Sequence, residues 1–346
     1  MATRGHRTPN SEGAAPRVMR AAVVDGYGPP EVVRIAEVRR PHPADREVLV
    51  RVHATAVTAG DARIRGARFP AGFGPLVRLV FGVTRPRRRI LGGSFSGIAE
   101  AAGIDAAGFA PGQAVCGMTG TKLGTHAEFV VARADRVAHV PAGVSLDDAV
   151  GVLFGGTAAL HFLRDDATVT SGKTVLVNGA SGAVGSNAVQ LAKHFGANVT
   201  AVTSAANADL VTGLGADRVI DYMSDELAAT DARFDVVLDC VGNLTIDSGR
   251  RLLAEGGVLV LAVASLWDYI RAHGNVVAGS APERVSDIEF LLDLVARGDL
   301  TVVHDGSYEL EHIVDAYRRV DSGHKRGNVI VHPFPAPAML SDDPPK

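Results

Sequence analysis

The chain has 346 residues, of which 47% are hydrophobic, and its formal net charge at pH 7 is −3. These values exclude a largely disordered chain, leave room for two or three domains, and give no reason to expect nucleic acid or an anionic membrane as a partner. The two cysteines, Cys116 and Cys240, are far apart in sequence, which argues against a disulfide framework and is typical of a reducing compartment such as the cytoplasm.

Both ends of the chain have the composition of disordered tails. Residues 1–18 carry scattered arginines among Gly, Pro, Ser and Ala, without the apolar core of a secretory signal. An organelle transit peptide is the alternative for this segment. Residues 335–346 are rich in Pro and Asp and are expected to form a second disordered tail. No uninterrupted apolar run approaches the roughly 20 residues of a membrane helix.

Between the tails the chain changes character twice. From residue 20 to residue 144, short strand-like runs separated by Gly and Pro predict a compact, partly β domain. From 145 to 282, strands alternate with helical segments, which indicates a parallel, doubly wound sheet. Residues 283–334 return to mixed helix and strand and are expected to complete the first domain. The predicted fold class is therefore α/β, with two domains.

The predicted elements follow this division in chain order. Strands of the first domain are predicted at Met19–Val24, Val48–Val52, Gly97–Glu100, Ala114–Cys116 and Ala127–Val131. Strands of the second domain are predicted at Thr174–Asn178, Asn198–Thr203, Arg218–Ile220, Asp235–Asp239 and Gly257–Leu261. The last segment is predicted to form a helix at Asp287–Val295 and strands at Thr301–Val303 and Asn328–Val331.

The stretch Gly179–Gly185 (GASGAVG) is the most informative motif. It directly follows an apolar strand, and the apolar residues after it recur with helical spacing. Strand, glycine turn and helix together predict a dinucleotide site, because small residues let a pyrophosphate approach the free N–H groups of the helix N-terminus. Ala180 takes the first glycine place of the usual pattern, and Gly182 and Gly185 take the second and third. A tight turn that binds nothing is the alternative.

The end of the next strand indicates which dinucleotide binds. In this fold an acidic residue about 20 positions after the glycines usually bonds the ribose 2′-hydroxyl. Here Ser204 stands at that place, followed by two alanines and Asn207. No carboxylate is present to repel a 2′-phosphate, and both side chains can donate hydrogen bonds to it. NADPH is therefore predicted in preference to NADH, although that turn contains no Lys or Arg.

Further motifs occur in a fixed order between Met19 and Pro333. They are Ala54–Asp61, Gly112–Gly117, Gly124–Phe129, Gly156–Ala158, Asn178–Gly185, Leu214–Asp217, Asp239–Gly242 and Gly323–Gly327. With them the chain resembles the medium-chain dehydrogenase/reductase superfamily (NAD(P)-dependent alcohol dehydrogenase-like), in its zinc-free quinone oxidoreductase-like branch. The resemblance implies a GroES-like catalytic domain, 20–144 with 283–334, around a Rossmann domain, 145–282. It also implies a homodimer that pairs through Asn275–Gly279.

The resemblance also assigns residues to the nucleotide. It implies that Thr157 contacts the nicotinamide end and that Val241 lines the cleft. The implied cofactor-binding residues are Thr157, Gly179, Ser181, Gly182, Ala183, Val184, Ser204, Asn207, Tyr222, Val241 and Asn328. Asn328 stands where relatives often carry Lys, and Lys325 or Arg326 is the candidate to compensate.

No metal site is expected. Zinc-dependent relatives hold their catalytic zinc with a Cys, a His and a Glu, and the matching places here are Thr58, Gly93 and Ser94. None of these is a good zinc ligand, because zinc prefers thiolate, imidazole or carboxylate. The four-cysteine lobe for structural zinc is also missing from a sequence with two cysteines.

The proton donor is left open by the sequence. Asp61 is a candidate to relay a proton through Thr58, although an Asp after a strand is as often a helix cap. Tyr27 is a candidate to reach the cleft, with simple packing as the alternative. Arg63 and Arg65 are candidates to orient a carbonyl oxygen, with surface solvation as the alternative. A proton from solvent would also serve.

The predicted function is a zinc-independent, NADPH-dependent oxidoreductase for small molecules, with no membrane or nucleic-acid partner. Without a Lewis acid, hydride is better suited to a quinone or an α,β-unsaturated carbonyl, both of which already stabilise negative charge. One alternative is a substrate-specific enoyl or ketone reductase that tailors a metabolite such as a polyketide. The other is an NADPH-binding sensor without catalytic activity.

Overall fold

The structure is a computed structural model that describes residues 17–224, 227 and 230–334. The predicted tails lie outside these residues, except for Arg17 and Val18.

The strands are β1 Val18–Val24, β2 Val33–Arg39, β3 Glu47–Val57, β4 Ser94–Ala102, β5 Ala114–Met118, β6 Phe129–Arg133, β7 Val137–His139, β8 Thr174–Asn178, β9 Asn198–Thr203, β10 Arg218–Asp221, β11 Phe234–Asp239, β12 Leu253–Leu261, β13 Val276–Ala278, β14 His304–Glu309 and β15 Asn328–His332. The helices are α1 Ala59–Gly66, α2 Gly74–Phe81, α3 Leu146–Leu160, α4 Ala183–His194, α5 Ala208–Gly213, α6 Ile246–Arg250, α7 Leu266–Arg271, α8 Val285–Arg297 and α9 Ile313–Asp321.

The dinucleotide-type sheet has six strands, all parallel, in the order β10-β9-β8-β11-β12-β13. This is the 3-2-1-4-5-6 order of a Rossmann fold, in which ligands bind where the strand order reverses, here between β8 and β11. The central strands are nearly continuous runs of Val and Leu, because helices cover both faces of the sheet. Strand β13, within the segment predicted to pair subunits, lies at the sheet edge.

The GroES-like part is built on a second sheet in the order β14-β15-β3-β4-β5-β7, with β6 paired to β3. Strands from the two ends of the chain meet here, because β15 pairs with β3 in antiparallel fashion. Strands β1 and β2 form a separate antiparallel pair. The α/β fold class predicted from the sequence, a GroES-like part and a Rossmann sheet, is confirmed.

Helix α3 is packed between the GroES-like sheet and helices α4 and α8, and it continues through a π-helical turn, His161–Asp166. The whole stretch of 21 residues is long enough for a membrane span and contains a sufficiently apolar part, but 67% of that part is buried inside the protein. Small residues permit this close packing. A Cβ atom at Gly155 would lie 2.1 Å from the Ala183 carbonyl oxygen at the start of α4. Helix α3 thereby brings Phe154 and Thr157 to the cleft between the two parts.

The predicted strand Thr301–Val303 is wrong, and the strand β14 that follows it was not predicted. The backbone of Thr301 bonds the Gln190 side chain of α4 at 2.8 and 2.9 Å, and the Val303 carbonyl accepts from the Asn328 backbone at 2.8 Å. These contacts take the place of ladder hydrogen bonds. Strand β14 (HDGSYE) is polar and half-exposed at the sheet edge, so it lacks the apolar alternation that marks a strand.

Candidate active site

The glycine turn between β8 and α4 forms an anion-binding helix N-terminus. Ser186 donates the first intrahelical hydrogen bond, to the Gly182 carbonyl at 2.9 Å. The backbone N–H groups of Ala183, Val184 and Gly185 therefore precede the helical ladder and are available to a ligand. Gly185 must be glycine, because a Cβ atom there would lie 2.1 Å from the Gly179 carbonyl oxygen. The sequence therefore folds this turn so that helix and strand pack closely and expose backbone donors.

A long cavity of about 1000 Å³ runs from this turn along the carboxyl ends of β8 and β9. It is lined by every residue predicted to bind the cofactor except Thr157, which lines the cavity described below. The predicted residues in the long cavity are Gly179, Ser181, Gly182, Ala183, Val184, Ser204, Asn207, Tyr222, Val241 and Asn328. We refer to this cavity as the cofactor cleft.

The end of the cofactor cleft beyond β9 carries polar side chains suited to a ribose phosphate. The Asn207 amide donates to the hydroxyl oxygens of Ser181 and Ser204, both at 3.2 Å. Its own side-chain oxygen is buried and has no hydrogen-bond partner among the described residues. An unpartnered buried oxygen is costly, and a ribose hydroxyl in the cleft would satisfy it. Tyr222 stands at the rim with half its surface exposed.

Two basic residues from the loop before β15 line the cofactor cleft, and Arg326 reaches the turn after β9. The Arg326 guanidinium donates to the Ala206 carbonyl at 3.3 Å, and its backbone N–H donates to Asp305 at 2.7 Å. Lys325 also lines the cleft, and burial lowers its pKa to about 8. The turn after β9 therefore has positive charge beside it, although none is local in sequence. The sequence named both residues only as substitutes for a lysine at position 328, not as neighbours of this turn.

A second, mainly apolar cavity of about 400 Å³ adjoins the cofactor cleft. The two cavities share Thr58, Ala59, Phe154, Val184 and Cys240. A nicotinamide that extends from the cleft would therefore meet a substrate at this junction, so we refer to the smaller space as the substrate cavity. Thr157 lines it, but its hydroxyl donates to the Leu153 carbonyl at 2.6 Å.

Comparison with known proteins identifies the family to which the chain belongs. The alcohol dehydrogenase GroES-like domain matches residues 44–142, and a family described as zinc-binding dehydrogenase matches residues 214–331. The chloroplast envelope quinone oxidoreductase homolog of Arabidopsis thaliana is 31% identical, over 60% of this chain and 68% of that protein. This chain belongs to the medium-chain dehydrogenase/reductase superfamily, in its quinone oxidoreductase-like branch. It is an NAD(P)H-dependent oxidoreductase.

Two further similarities extend over most of the oxidoreductase. The chloroplastic NADPH-dependent alkenal/one oxidoreductase of Arabidopsis thaliana is 26% identical, over 94% of this chain and 82% of that protein. The solved quinone oxidoreductase of Coxiella burnetii is 26% identical and superposes with a TM-score of 0.81, over 91% of this chain and 99% of that chain. The similarity to these oxidoreductases thus extends over nearly the whole chain.

The oxidoreductase uses Thr58 and Asp61 to cap helix α1. The Asp61 carboxylate accepts from the Thr58 backbone at 2.9 Å and from its hydroxyl at 2.6 Å, while its other oxygen accepts from the Gly92 backbone at 3.1 Å. Asp61 donates its own N–H back to the Thr58 hydroxyl oxygen at 3.2 Å, which completes a capping box. The cap uses the two backbone N–H groups, and a proton relay would use the separate hydrogen bond from the Thr58 hydroxyl to the Asp61 carboxylate. Both residues line the substrate cavity, and the relay stays a prediction.

The structure does not bring Tyr27 into the active site. Its hydroxyl donates to the Gly82 carbonyl at 2.6 Å, after the short helix α2. Among the described residues Tyr27 lines neither cavity. The hairpin that carries it folds toward α2, so its place in sequence near the first strand gave no guide to its partner.

Arg63 is the one cationic side chain that lines the substrate cavity among the residues that the structure describes. It lies on α1 and lines the cavity half-buried, and burial lowers its pKa below the usual value. Within the described part of the chain its guanidinium forms no ion pair or hydrogen bond. In contrast, the nearby Arg65 is fully buried and pairs with Asp321. The two arginines, although only two residues apart in sequence, therefore lie in different environments.

The substrate cavity offers a poor set of zinc ligands. Thr58, Gly93 and Ser94, which hold the places of zinc ligands in other relatives, all line it. The Glu283 carboxylate pairs with Arg136 at 2.7 Å. Burial beside Asp239 raises the pKa of the Cys240 thiol, which disfavours the thiolate that binds zinc. The zinc-binding dehydrogenase match begins at residue 214, so it does not include the three positions named first.

Proposed function

We propose that this oxidoreductase transfers hydride from NADPH to a quinone or to the β-carbon of an α,β-unsaturated carbonyl, without a catalytic zinc ion. The observation that carries the proposal is the chemistry of the substrate cavity. Thr58, Gly93 and Ser94 stand where zinc ligands would be needed. Arg63, which has no hydrogen-bond or ion-pair partner among the described residues, is the cation in the cavity lining that can face a substrate oxygen. The names of the quinone and alkenal/one oxidoreductases that the chain resembles support the same substrate class.

The acceptor must stabilise the charge that develops on its oxygen. A quinone or an enone delocalises that charge over a conjugated system, whereas a simple aldehyde concentrates it on one atom and benefits most from a Lewis acid. When bound, the cofactor supplies the hydride. Arg63 would hold the acceptor oxygen by hydrogen bonds, and the apolar wall formed by Phe154, Val184 and Leu123 would exclude water. Thr58, bonded to Asp61, or solvent would supply the proton.

The preference for NADPH is supported by charge around the turn after β9. Ser204 and Asn207 offer donors there, and Arg326 and Lys325 add two positive charges on the facing loop. Asp305 also lies in the cleft, but it is neutralised by an ion pair with Arg319. A 2′-phosphate would therefore meet donors and net positive charge, whereas a free ribose carries no negative charge to pair with Arg326 and Lys325.

A panel of acceptors tests the proposal. Purified enzyme with NADPH should reduce a small para- or ortho-quinone and a simple enone far faster than it reduces an unconjugated aldehyde. Turnover of one complex enone with simple quinones ignored would instead favour a tailoring reductase. NADPH binding without turnover of any acceptor would favour a sensor and would contradict the proposed catalysis.

A further inference from the structure

Two histidines and one aspartate from three separate elements meet on the surface outside both cavities. His53 lies in β3, Asp147 lies in the first turn of α3, and His332 ends β15. The His332 Nε2 atom is 2.9 Å from Asp147 Oδ1, and the His53 Nε2 atom is 3.5 Å from the same oxygen. All three ligand-type atoms lie within 4.8 Å of one another.

These distances are close to those of a metal site. Zinc binds imidazole nitrogen and carboxylate oxygen at about 2.0–2.2 Å, so neighbouring ligand atoms of a tetrahedral site lie about 3.3 Å apart. The two measured N···O distances bracket this value. His53 has room to turn its ring toward a shared ion, because about half of its side chain is exposed to solvent.

The surroundings orient the ligands for such an ion. His332 Nδ1 is hydrogen-bonded to the Ser307 hydroxyl at 3.1 Å, which fixes the ring with its Nε2 atom toward Asp147. A hydrogen bond of this kind from the second ring nitrogen is usual for metal-binding histidines. Asp147 is held by the rigid start of α3, where Ser145 caps the helix. The exposed side of the cluster gives an ion a path from solvent.

We propose that His53, Asp147 and His332 form a binding site for a divalent transition-metal ion such as Zn²⁺, with solvent completing the coordination. Two imidazoles and a carboxylate suit Zn²⁺, Ni²⁺ or Cu²⁺ better than Ca²⁺ or Mg²⁺, which prefer oxygen. The ion would join α3 to β3 and β15 and would stabilise the fold. None of the three residues lines either cavity, so this ion would not act on the substrate.

Zinc titration of the full chain tests the site. The protein is stripped with a chelator, the chelator is removed, and ZnCl₂ is added in a calorimeter. We expect one zinc ion per chain with a micromolar dissociation constant, and an increase in Tm when zinc is present in excess. His53→Gln and His332→Gln should each weaken binding at least tenfold and abolish the increase in Tm. His53→Gln keeps the test decisive if the more buried His332 variant does not fold.

His304→Gln is the matched control. His304 pairs with Asp148 at 2.8 Å, a single His–Asp pair beside the cluster, and its loss should leave zinc affinity unchanged. Two results would overturn the proposal: no zinc binding by the wild-type protein at millimolar zinc, or equal affinity in the wild type and the His53 variant. Quinone reduction should be the same with and without zinc in the site, which distinguishes this proposal from the zinc-independent chemistry proposed above.

Discussion

Replacement of Gly182 by Val tests the phosphate turn most sharply. A Cβ atom at Gly182 would lie 3.5 Å from the Gly179 carbonyl oxygen, an ordinary contact, with no other non-neighbouring heavy atom within 4 Å. The φ of −79° is also permitted for Val. The branched side chain would therefore enter the cofactor cleft next to the N–H groups of Ala183 and Val184. Because Gly182 caps α4 and Val is a poorer cap, we expect a stability cost of about 1 kcal/mol.

The effect on the cofactor should be larger than the effect on stability. A hydrogen bond to a charged group is worth about 1.5–3 kcal/mol, so displacing the pyrophosphate from one backbone donor should weaken NADPH binding about 10- to 150-fold. Fluorescence titration with NADPH gives the dissociation constant, and a thermal melt reports the fold. Gly185→Ala is the contrast, because its Cβ atom would clash at 2.1 Å and should lower Tm instead. An unchanged dissociation constant in a folded Gly182 variant would mean that the nucleotide binds elsewhere.

Three further changes probe the rest of the site. Ser204→Asp should shift the NADPH/NADH ratio of kcat/KM about tenfold toward NADH by repulsion of the 2′-phosphate, with Ser204→Asn as the control. An unchanged ratio would mean that Ser204 does not face the adenosine ribose. The Lys325 pKa of about 8 should rise when a phosphate binds, so NADPH affinity should fall as pH increases from 7 to 9. Lys325→Met should flatten this pH dependence, and a slope that persists in this variant would exclude Lys325 as its cause. Arg63→Met should lower kcat for an enone about 100-fold without changing the NADPH dissociation constant, while Arg63→Lys should retain part of the rate. Full activity of the Met variant would exclude a role of Arg63 in holding the acceptor oxygen.

The residues that the structure brings together in the cofactor cleft could be named from the sequence because their signals are local. The glycines between Gly179 and Gly185 lie in one turn, and Ser204 and Asn207 follow the next strand of the same sheet. Arg326 could not be placed beside Ala206 in this way, because 120 residues separate them and the contact depends on how the loop before β15 folds onto the Rossmann part. The sequence alone therefore underestimated the positive charge beside the turn after β9.

The catalytic half was harder to predict because its residues act through partners that sequence does not show. Arg63 and Arg65 are two residues apart, yet one faces the substrate cavity and the other is buried against Asp321. Tyr27 was a candidate by its place near the first hairpin, but it bonds Gly82 instead. Strand β14 was missed because an exposed edge strand carries no apolar pattern.

The central claim, hydride transfer to an activated acceptor without a catalytic metal, is tested most directly by turnover of metal-stripped enzyme. NADPH oxidation is followed with a para-quinone before and after chelation, and metal analysis verifies that zinc has been removed. The same preparation is tested for oxidation of a primary alcohol with NADP⁺. We expect unchanged quinone reduction after stripping and negligible alcohol oxidation throughout. Loss of quinone reduction on stripping that is restored by Zn²⁺, or efficient zinc-dependent alcohol oxidation, would contradict the claim.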